Sequence, residues 1–347
     1  MKKVNYRFSN ASVDVYLDAS FSHLSKIVDR KNAVIVTDEH IFSLHHAKFR
    51  NWNVIVLKPG EEFKIQLTAD SIIEQLIGFE ADRTTTLVGV GGGVITDLTG
   101  YVASIYMRGI PFGFVPTSLL AMVDASIGGK NGVDVGAFKN LVGSIRQPSF
   151  LLYDYSFLKT LPDMEWSNGF AEIIKHACIL DEKLFKLLCG KGLVSIQKNK
   201  KLLSSIIERN VVLKSTVVKK DEFEKGDRKL LNFGHTLGHA LETQYDLTHG
   251  QAIALGMVFA AWLSEKQLGL KRSSELVEVL SLFKLPTIAS FDVERVFRVL
   301  TMDKKRVSKK MNFVLLKKIG RGIVHPFTLD QLKKYLLQYA QINRAHT

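Results

Sequence analysis

The sequence predicts a mostly parallel α/β domain followed by an all-α domain. In the first half of the chain, apolar strand-like runs alternate with helical patterns. From about residue 164 onward, helical patterns follow one another with hardly a strand between them. The change falls at Leu161-Pro162, so we place the boundary near residues 155–162 and predict domains of residues 1–158 and 159–347.

Five short apolar runs predict the strands of the first domain, which we expect to be Rossmann-like. Such runs are typical of parallel strands that helices cover on both faces. Helical periodicity at 68–78 and 94–107 separates some of them, which indicates βαβ units. The predicted strands are residues 33–38, 53–57, 85–90, 112–115 and 150–153.

The second domain is predicted from its succession of helical stretches. One possible strand, at residues 312–316, is the exception. The stretches run over about 164–189, 193–219, 230–245, 250–268, 274–283 and 292–301.

Composition indicates a soluble globular protein, with 46% hydrophobic and 23% charged residues among 347. The start of the chain lacks the apolar run of a secretory signal. The best candidate for a membrane span, residues 109–123, is interrupted by Pro111, Gly113 and Pro116. The two cysteines are most simply free thiols in a reducing compartment. We therefore expect a cytoplasmic protein with no membrane partner.

The net charge of +13 is concentrated near the carboxy-terminal end. Residues 303–347 contain 11 Lys and Arg against 2 Asp and Glu, with a dense run around Lys304 and Lys305. A solvated basic face, an anionic small substrate and a nucleic acid are all compatible with this charge. No zinc-finger, RRM, KH or helix-turn-helix signature accompanies it, so we expect no nucleic-acid partner.

Histidines and one glutamate suggest a metal site. His235 and His239 are four residues apart and share one helix face, and His249 follows closely. Glu172 lies in another helical stretch, three residues before Lys175. Two or three imidazoles and a carboxylate suit a zinc-like dication with one position open for substrate. The alternative is a histidine pair at the surface or in a hydrogen-bonded core.

One metal chemistry is disfavoured by the sequence. A zincin-type protease needs a glutamate directly after the first histidine, and Thr236 stands there.

Two glycine-rich segments suggest anion binding. Gly91-Gly92-Gly93 lies where a strand gives way to a helix, and is either a pyrophosphate cradle or a tight turn. It is not the usual dinucleotide fingerprint, because Val94 stands where a glycine is expected. Gly128-Gly129-Lys130 suggests a second anion-binding backbone. Arg108, at a predicted helix end, could instead complement the helix dipole.

Ordered motifs along nearly the whole chain resemble the 3-dehydroquinate synthase family of sugar-phosphate cyclases. The matching segments are residues 60–64, 91–97, 106–109, 116–120, 124–130, 139–140, 157–162, Glu172 with Lys175, Lys214, 228–239 and 249–250. The resemblance implies an NAD-binding α/β domain and a helical metal-binding domain, in agreement with the predicted boundary.

The resemblance also assigns roles to residues. It implies a Zn2+ or Co2+ ion held by Glu172, His235 and His249, with His239 acting on the substrate instead. The implied NAD contacts are Asp38, Gly60, Glu61, Lys64, Gly92, Gly93, Val94, Asp97, Thr117, Ser118, Lys130, Lys139, Phe157 and Thr160. The implied substrate contacts are Asp124, Lys130, Asn140, Lys175, Lys214, Arg228, Asn232, His239 and either Lys304 or Lys305. Arg108 would reach a neighbouring subunit's site, which implies a homodimer.

The implied reaction converts 3-deoxy-D-arabino-heptulosonate 7-phosphate to 3-dehydroquinate and phosphate, a step of the shikimate pathway. A transient oxidation by NAD would acidify the neighbouring C–H and allow phosphate to leave by β-elimination. The hydride would then return, and the opened ring would close as a carbocycle. Zinc would polarise the hydroxyl, while cations hold the carboxylate and the phosphate.

The chain departs from the family pattern at a few positions. Asn131-Gly132-Val133-Asp134 replaces the usual Thr-Ala-Val-Asn, Phe138 replaces a common glycine, and Thr96 replaces another. These departures concern the local shape near the phosphate and the dinucleotide.

Three other functions compete with this interpretation. Other cyclases, such as 2-deoxy-scyllo-inosose or valiolone synthases, have different residues at some of the positions of Arg108, Asn140, Asn232 and His239. The presence of all four residues therefore favours the 3-dehydroquinate synthase family. A metal-dependent polyol dehydrogenase would not need the cations Lys130, Lys175, Lys214 and Arg228. A non-catalytic nucleic-acid-binding protein would not need intact metal and NAD motifs.

Overall fold

The computed structural model describes residues 1–136, 138–302 and 310–344. The chain forms two compact units. The first contains Met1–Trp166 and Ile207–Phe223, and the second contains Ser167–Ile206 and Glu224–Thr347. Residues 207–223 thus group with the first unit, although they follow the predicted boundary. The functional division into residues 1–158 and 159–347 stays a prediction.

The first unit contains nine described strands: β1 (Lys2–Arg7), β2 (Ser12–Leu17), β3 (Ala33–Asp38), β4 (Asn53–Leu57), β5 (Thr86–Gly91), β6 (Phe112–Pro116), β7 (Lys130–Val135), β8 (Phe138–Ile145) and β9 (Phe150–Leu152). Seven of them form one sheet with the order β1-β2-β9-β6-β5-β3-β4. In this sheet the β1–β2 pair is antiparallel and the other pairs are parallel. Strands β7 and β8 form a separate antiparallel hairpin.

The predicted mostly parallel α/β fold is confirmed, and all five predicted strands occur as β3, β4, β5, β6 and β9. Their central members are almost entirely buried, which explains their continuous apolar composition. The helices of this unit are α1 (Glu39–His45), α2 (Gln66–Gly78) and α3 (Gly93–Ile105). One buried cluster joins sheet residues such as Ile35 and Val88 to Phe21 and Phe157.

The second unit is predominantly helical, as predicted. Two predicted long helices are interrupted: the first ends at Leu180, and Asp181 then caps the next helix by accepting from the Leu184 N–H. The helices that follow α3 in the chain are α4 (Asp163–Leu180), α5 (Glu182–Cys189), α6 (Leu193–Gln197), α7 (Lys200–Lys220), α8 (His235–Gln244), α9 (His249–Leu268), α10 (Ser273–Leu282), α11 (Val293–Met302) and α12 (Leu329–Arg344). The part of α7 from residue 207 onward groups with the first unit.

One antiparallel hairpin corrects the expectation of an all-α second domain. Strand β10 (Lys310–Lys318) contains the possible strand at 312–316 and pairs with β11 (Arg321–Thr328). Apolar side chains of the hairpin, including Phe313 and Phe327, pack into the same cluster as Phe259 of α9. The hairpin therefore covers the helical core instead of forming a separate layer. Among the described residues, no helix combines the length and apolar character needed to cross a membrane.

Close packing of α8 against α9 depends on glycine. A Cβ atom on Gly256 would lie 1.9 Å from the carbonyl oxygen of Gly234, the residue that precedes α8. Gly234 itself has φ +81, a conformation that L side chains rarely adopt. The first residues of these two helices are His235 and His249, so this packing brings the two imidazoles together.

We predict that Gly256→Ala destabilises the protein by about 1–3 kcal/mol, because the added methyl group overpacks the α8–α9 contact. Chemical denaturation followed by circular dichroism measures this change. Gly190→Ala is the matched control in the same unit, since nothing lies within 4 Å of its Cβ position. It should be neutral or stabilising by up to about 1 kcal/mol. Equal effects of the two variants would contradict the packing argument.

Candidate active site

The three predicted metal ligands come together in the second unit. Glu172 projects from α4, while His235 and His249 are the first residues of α8 and α9. Glu172 Oε1 lies 3.0 Å from His249 Nε2 and 3.5 Å from His235 Nε2. One ligand atom from each residue fits within a group whose members are all within 4.8 Å of one another. A carboxylate and two imidazoles suit a zinc-type ion with an open coordination position.

His235 is held in the tautomer that a metal ligand needs. Its Nδ1–H donates to the backbone carbonyl of Phe233 at 3.1 Å, which leaves the Nε2 lone pair directed towards Glu172. Burial, assisted by the charge of Lys175, keeps the pKa of His235 well below its usual value. The ring is therefore neutral near pH 7.

His249 lies between two carboxylates. Burial alone would lower its pKa, but hydrogen bonds to Glu172 and then Glu242 raise the pKa to about 9. Its Nδ1 lies 3.6 Å from Glu242 Oε1, on the side of the ring opposite the Glu172 contact. A dication bound at Nε2 near pH 7 would therefore displace a proton.

His239 lies beside this group but is exposed. Its ring centroid is 5.1 Å from that of His235 and 6.3 Å from that of His249. It can also form a second group with Glu242 and His249, with ligand atoms within 4.8 Å. The geometry thus allows His239 to act near the first group without belonging to it, and its substrate role stays a prediction.

The second unit also contains the cationic and amide side chains that were predicted to contact the substrate. Lys175 is 2% exposed and forms an ion pair with Glu172 on the same helix. Arg228 is 3% exposed within the 3-10 helix Asp227–Asn232, and Asn232 Nδ2 donates to Glu224 Oε1 at 2.7 Å. Buried cations of this kind can hold an anionic ligand.

The predicted glycine loop lies where the sheet of the first unit favours ligand binding. Strands β3, β5 and β6 are adjacent and parallel, so their carboxyl ends lie at one edge of the sheet. Asp38 is the last residue of β3, and Gly92 and Thr117 directly follow β5 and β6. The Thr117 N–H donates to the Gly91 carbonyl at 2.9 Å, and Ser118 lies beside Gly92. Gly92 precedes α3, and this helix contains Val94 and Asp97. Because Gly92 has no side chain, the start of α3 has no side-chain cap.

Lys64 connects several predicted cofactor residues. Its buried Nζ lies 3.1 Å from Glu61, 3.2 Å from Asp97 and 3.9 Å from Asp134. Lys139 Nζ is 4.0 Å from the same Glu61 oxygen. Burial raises the pKa of Asp97 to about 6, against the opposing effect of Lys64. The departure at Asp134 therefore adds a third carboxylate around one lysine.

Predicted substrate residues of the first unit include a close ion pair. Lys214 Nζ lies 2.7 Å from Asp124 Oδ1 and donates to the Asp124 carbonyl at 2.6 Å. Lys130 is exposed at the start of β7. Asn140, in β8, has φ +54, and its N–H donates to Asp134 Oδ1 at 2.6 Å. Arg108 is exposed and has φ +67.

The remaining predicted cofactor residues have structural partners of their own. Asp38 caps α1 through the Ile41 N–H at 2.9 Å, and burial raises its pKa. Gly60 precedes the turn that contains Glu61 and has φ +124. Thr160 is 3.0 Å from His45 Nε2, and the buried Phe157 ring packs against His45. Lys304 and Lys305 lie outside the described residues.

Two polar residues of the second unit were not predicted from the sequence. Glu242 lies beside His249, and Asn168 hydrogen-bonds to the residues on either side of His249. Helical spacing carried a signal for both. Asn168 precedes Glu172 by one turn, and Glu242 follows His239 by three residues.

Family models and relatives of known function show which proteins the chain is similar to. A family model described as 3-dehydroquinate synthase N-terminal matches residues 54–168, and one described as 3-dehydroquinate synthase C-terminal matches residues 169–306. The 3-dehydroquinate synthase of Bacillus pumilus is 38% identical and covers 97% of each chain. That of Pyrococcus abyssi is 42% identical over 77% of this chain and 79% of the relative.

Solved structures share the fold. The 2-epi-5-epi-valiolone synthase ValA from Streptomyces hygroscopicus, with NAD+ and Zn2+ bound, has a TM-score of 0.86 at 26% identity and covers 98% of each chain. A 2-deoxy-scyllo-inosose synthase complexed with carbaglucose-6-phosphate, NAD+ and Co2+ has a TM-score of 0.85 at 24% identity, covering 97% of this chain and all of the other.

We predict that His235→Ala binds the metal ion more than roughly 100-fold more weakly than wild type. Loss of a partner in the outer shell typically weakens binding by roughly 10- to 100-fold, and His235 is a proposed direct ligand. His239→Ala should keep near wild-type affinity, because Glu172, His235 and His249 stay in place. Competition titration with Co2+ measures both values. Comparable loss in the two variants would overturn the proposed ligand set.

The pKa of Asp97 predicts a pH dependence of stability. Between pH 3.8, the ordinary pKa of an aspartate, and about pH 6, Asp97 is protonated in the folded protein and ionised in the unfolded chain. The protonated carboxyl therefore favours folding at low pH. That contribution is lost as pH rises through about 6. Relative to wild type, Asp97→Asn should therefore gain stability from pH 4 to pH 7 in urea unfolding without ligands.

Asp154→Asn is the control of opposite sign. Burial would raise the pKa of Asp154, but hydrogen bonds from Lys48 and Ser156 lower it. Its stabilising effect is present at neutral pH and is lost as pH falls. Relative to wild type, this variant should lose stability as pH rises towards 3.8 and should change little from pH 4 to pH 7. The same trend in both variants would contradict the assignment.

Proposed function

The chain belongs to the 3-dehydroquinate synthase family, and we infer that it is an NAD- and metal-dependent carbon–oxygen lyase. Its reaction is the conversion of 3-deoxy-D-arabino-heptulosonate 7-phosphate to 3-dehydroquinate and phosphate, in the shikimate pathway of aromatic amino-acid biosynthesis. The observation that carries this conclusion is the meeting of Glu172, His235 and His249 in a chain whose two matched segments belong to this family.

The second unit has the donor set that a Zn2+ or Co2+ ion requires. Its oxygen and nitrogen donors include a neutral imidazole with a defined tautomer and a carboxylate that is fully buried. When bound, such an ion supplies Lewis-acid polarisation of a substrate hydroxyl. We propose Glu172, His235 and His249 as its ligands.

We propose that NAD binds the first unit along the sheet edge after β3, β5 and β6. The helix start at Gly93 offers N–H groups to a pyrophosphate, and the glycines permit close approach of backbone. NAD supplies reversible hydride acceptance, so no net reduction accumulates. The proposed contacts are Asp38, Gly60, Glu61, Lys64, Gly92, Gly93, Val94, Asp97, Thr117, Ser118, Lys130, Lys139, Phe157 and Thr160.

The chain's own groups orient and neutralise the substrate. In the second unit we propose Lys175, Arg228, Asn232 and His239 for this role. Lys175 and Arg228 are buried cations, so their charges are screened little by water. In the first unit we propose the Asp124–Lys214 pair together with Lys130 and Asn140. Fixed charges aimed at a carboxylate and a phosphate lower the barrier through positioning and charge stabilisation.

Glu172 and Asp124 are poor candidates for the base that starts phosphate elimination. Each forms an ion pair with a lysine, so its oxygens already face a cation of the protein. We propose that the departing phosphate removes the neighbouring proton itself. The protein then has to hold the phosphate in place while the C–O bond breaks.

We propose that the enzyme is a cytoplasmic homodimer. The exposed Arg108, held in an unusual backbone conformation, would reach the partner's site. Lys304 or Lys305 would close the phosphate end. The cysteines, Cys178 and Cys189, are both free, as is usual in a reducing compartment.

Competing activities have less support. The curated synthases are 35–42% identical to this chain, against 23–26% for the structures of other cyclases. The glycerol dehydrogenase fold neighbour is 14% identical. A polyol dehydrogenase also would not need the buried cations Lys175 and Arg228.

We predict that purified protein with NAD and Zn2+ or Co2+ releases phosphate from the heptulosonate phosphate without net NADH. A phosphate assay and absorbance at the NADH band measure the two quantities together. Net NADH from simple polyols would indicate a dehydrogenase instead. Phosphate release from a different sugar phosphate alone would indicate another cyclase.

A further inference from the structure

One buried amide connects the helices that carry two of the proposed metal ligands. Asn168 lies four residues before Glu172 on α4, so the two side chains share a helix face. Its Oδ1 accepts a hydrogen bond from the Thr248 hydroxyl at 2.7 Å and one from the Gly250 N–H at 3.1 Å. Thr248 and Gly250 flank His249. Asn168 therefore holds the backbone on both sides of this histidine.

We propose that Asn168 is a positioning residue that fixes His249 against Glu172 and so sets the geometry of the metal centre. This role rests on the proposed function, since it presupposes that Glu172 and His249 bind one ion.

The start of α9 does not need Asn168 as a cap. The Thr248 hydroxyl accepts from the Gln251 N–H, and the Gln251 side chain accepts from the Thr248 N–H at 2.9 Å. This reciprocal capping box already completes the helix start. The two hydrogen bonds to Asn168 are additional, and they join α9 to α4.

Close approach of the backbones makes this connection rigid. A Cβ atom on Gly250 would lie 2.5 Å from the Asn168 Cα, so only glycine lets its N–H reach the amide. Asn168 is 5% exposed. Water therefore competes little for its carbonyl oxygen, and the hydrogen bonds are retained.

The His249 side chain is 32% exposed, so packing covers it less completely than it covers Glu172. Support of its backbone from both sides therefore adds to the contacts that its ring makes with Glu172 and Glu242. Its Nε2 nevertheless has to stay about 3 Å from Glu172 Oε1, as it does here at 3.0 Å. Outer-shell partners that orient a metal-binding histidine typically contribute roughly 10- to 100-fold to metal affinity.

The test measures Co2+ binding to the full-length protein without NAD or substrate, by competition titration and by the visible spectrum of bound Co2+. Asn168→Ala should lose roughly 10- to 100-fold in affinity and change the spectrum, because the coordination geometry relaxes. Asn168→Asp keeps an oxygen that accepts both hydrogen bonds. It should bind Co2+ close to wild type.

Asn343→Ala is the matched control. Asn343 is also a buried asparagine of the second unit, and its Nδ2 donates to the Ala289 carbonyl at 3.1 Å. This variant should lose thermal stability and keep the affinity and spectrum of wild type. A purely structural role for Asn168 would make the two alanine variants behave alike.

Three outcomes would overturn a proposal. Wild-type affinity and spectrum in Asn168→Ala would overturn the positioning role while leaving the proposed function intact. Loss of Co2+ by Asn168→Asp would do the same, and this variant carries the test if the alanine variant does not fold. Failure of the wild-type chain itself to bind Co2+ would overturn the proposed metal centre.

Discussion

A fully buried carboxylate is the constraint on which the second unit depends. Glu172 is 0% exposed, and an ionised carboxylate in that environment is strongly destabilising unless cations and hydrogen-bond donors surround it. Lys175 supplies one charge from the same helix, and the two imidazoles approach from α8 and α9. Helices α4, α8 and α9 thereby meet at the Glu172 carboxylate. The same electrostatic demand favours a dication, which would compensate the carboxylate more completely than a proton on His249.

The packing of the helices serves this electrostatic arrangement. Gly256 and Gly234 let α9 approach α8, and Gly250 lets α9 approach α4. Larger side chains at these positions would separate the helix starts, where His235 and His249 lie. Apolar burial elsewhere in the cluster, around Phe259 and Phe313, stabilises the unit without determining where the ligands meet. Stability and metal geometry are thus set by different contacts within the same helices.

In the first unit the buried charge is positive, and carboxylates surround it. A nearly buried lysine, Lys64, is surrounded by Glu61, Asp97 and Asp134. Burial raises the pKa of Asp97, and the negative charge of Glu61 adds to this rise. The three carboxylates together keep Lys64 charged. Asp134 Oδ1 accepts the Asn140 N–H within the β7–β8 hairpin. The Asp134 N–H donates to the Lys64 carbonyl, which joins the hairpin to the turn that contains Lys64. The unusual residue at position 134 therefore has a structural role in this chain.

Local sequence patterns were sufficient to predict the central strands, because the apolar runs of these strands are buried on both faces. They were also sufficient to locate the glycine loop, which directly follows one of these strands. They were insufficient for β1 and β2, whose edge strand exposes Lys2 and Lys3 and alternates weakly. Hairpin β7–β8 was also missed, since β8 is mostly exposed and has no apolar alternation. The metal ligands could be proposed only by adding family resemblance to the i,i+4 histidine spacing.

What the sequence determined by itself was the central strands, most of the helices, the residue types proposed for the site and the separation into an α/β and a helical part. Tertiary structure decided which polar residues meet. Glu172 and His249 are 77 positions apart, and no local periodicity fixes such a distance. The same limit applies to Asn168, since a buried amide and a solvated one have the same helical spacing. Only the packing of α4 against α9 distinguishes them, because it removes water and aligns the donors.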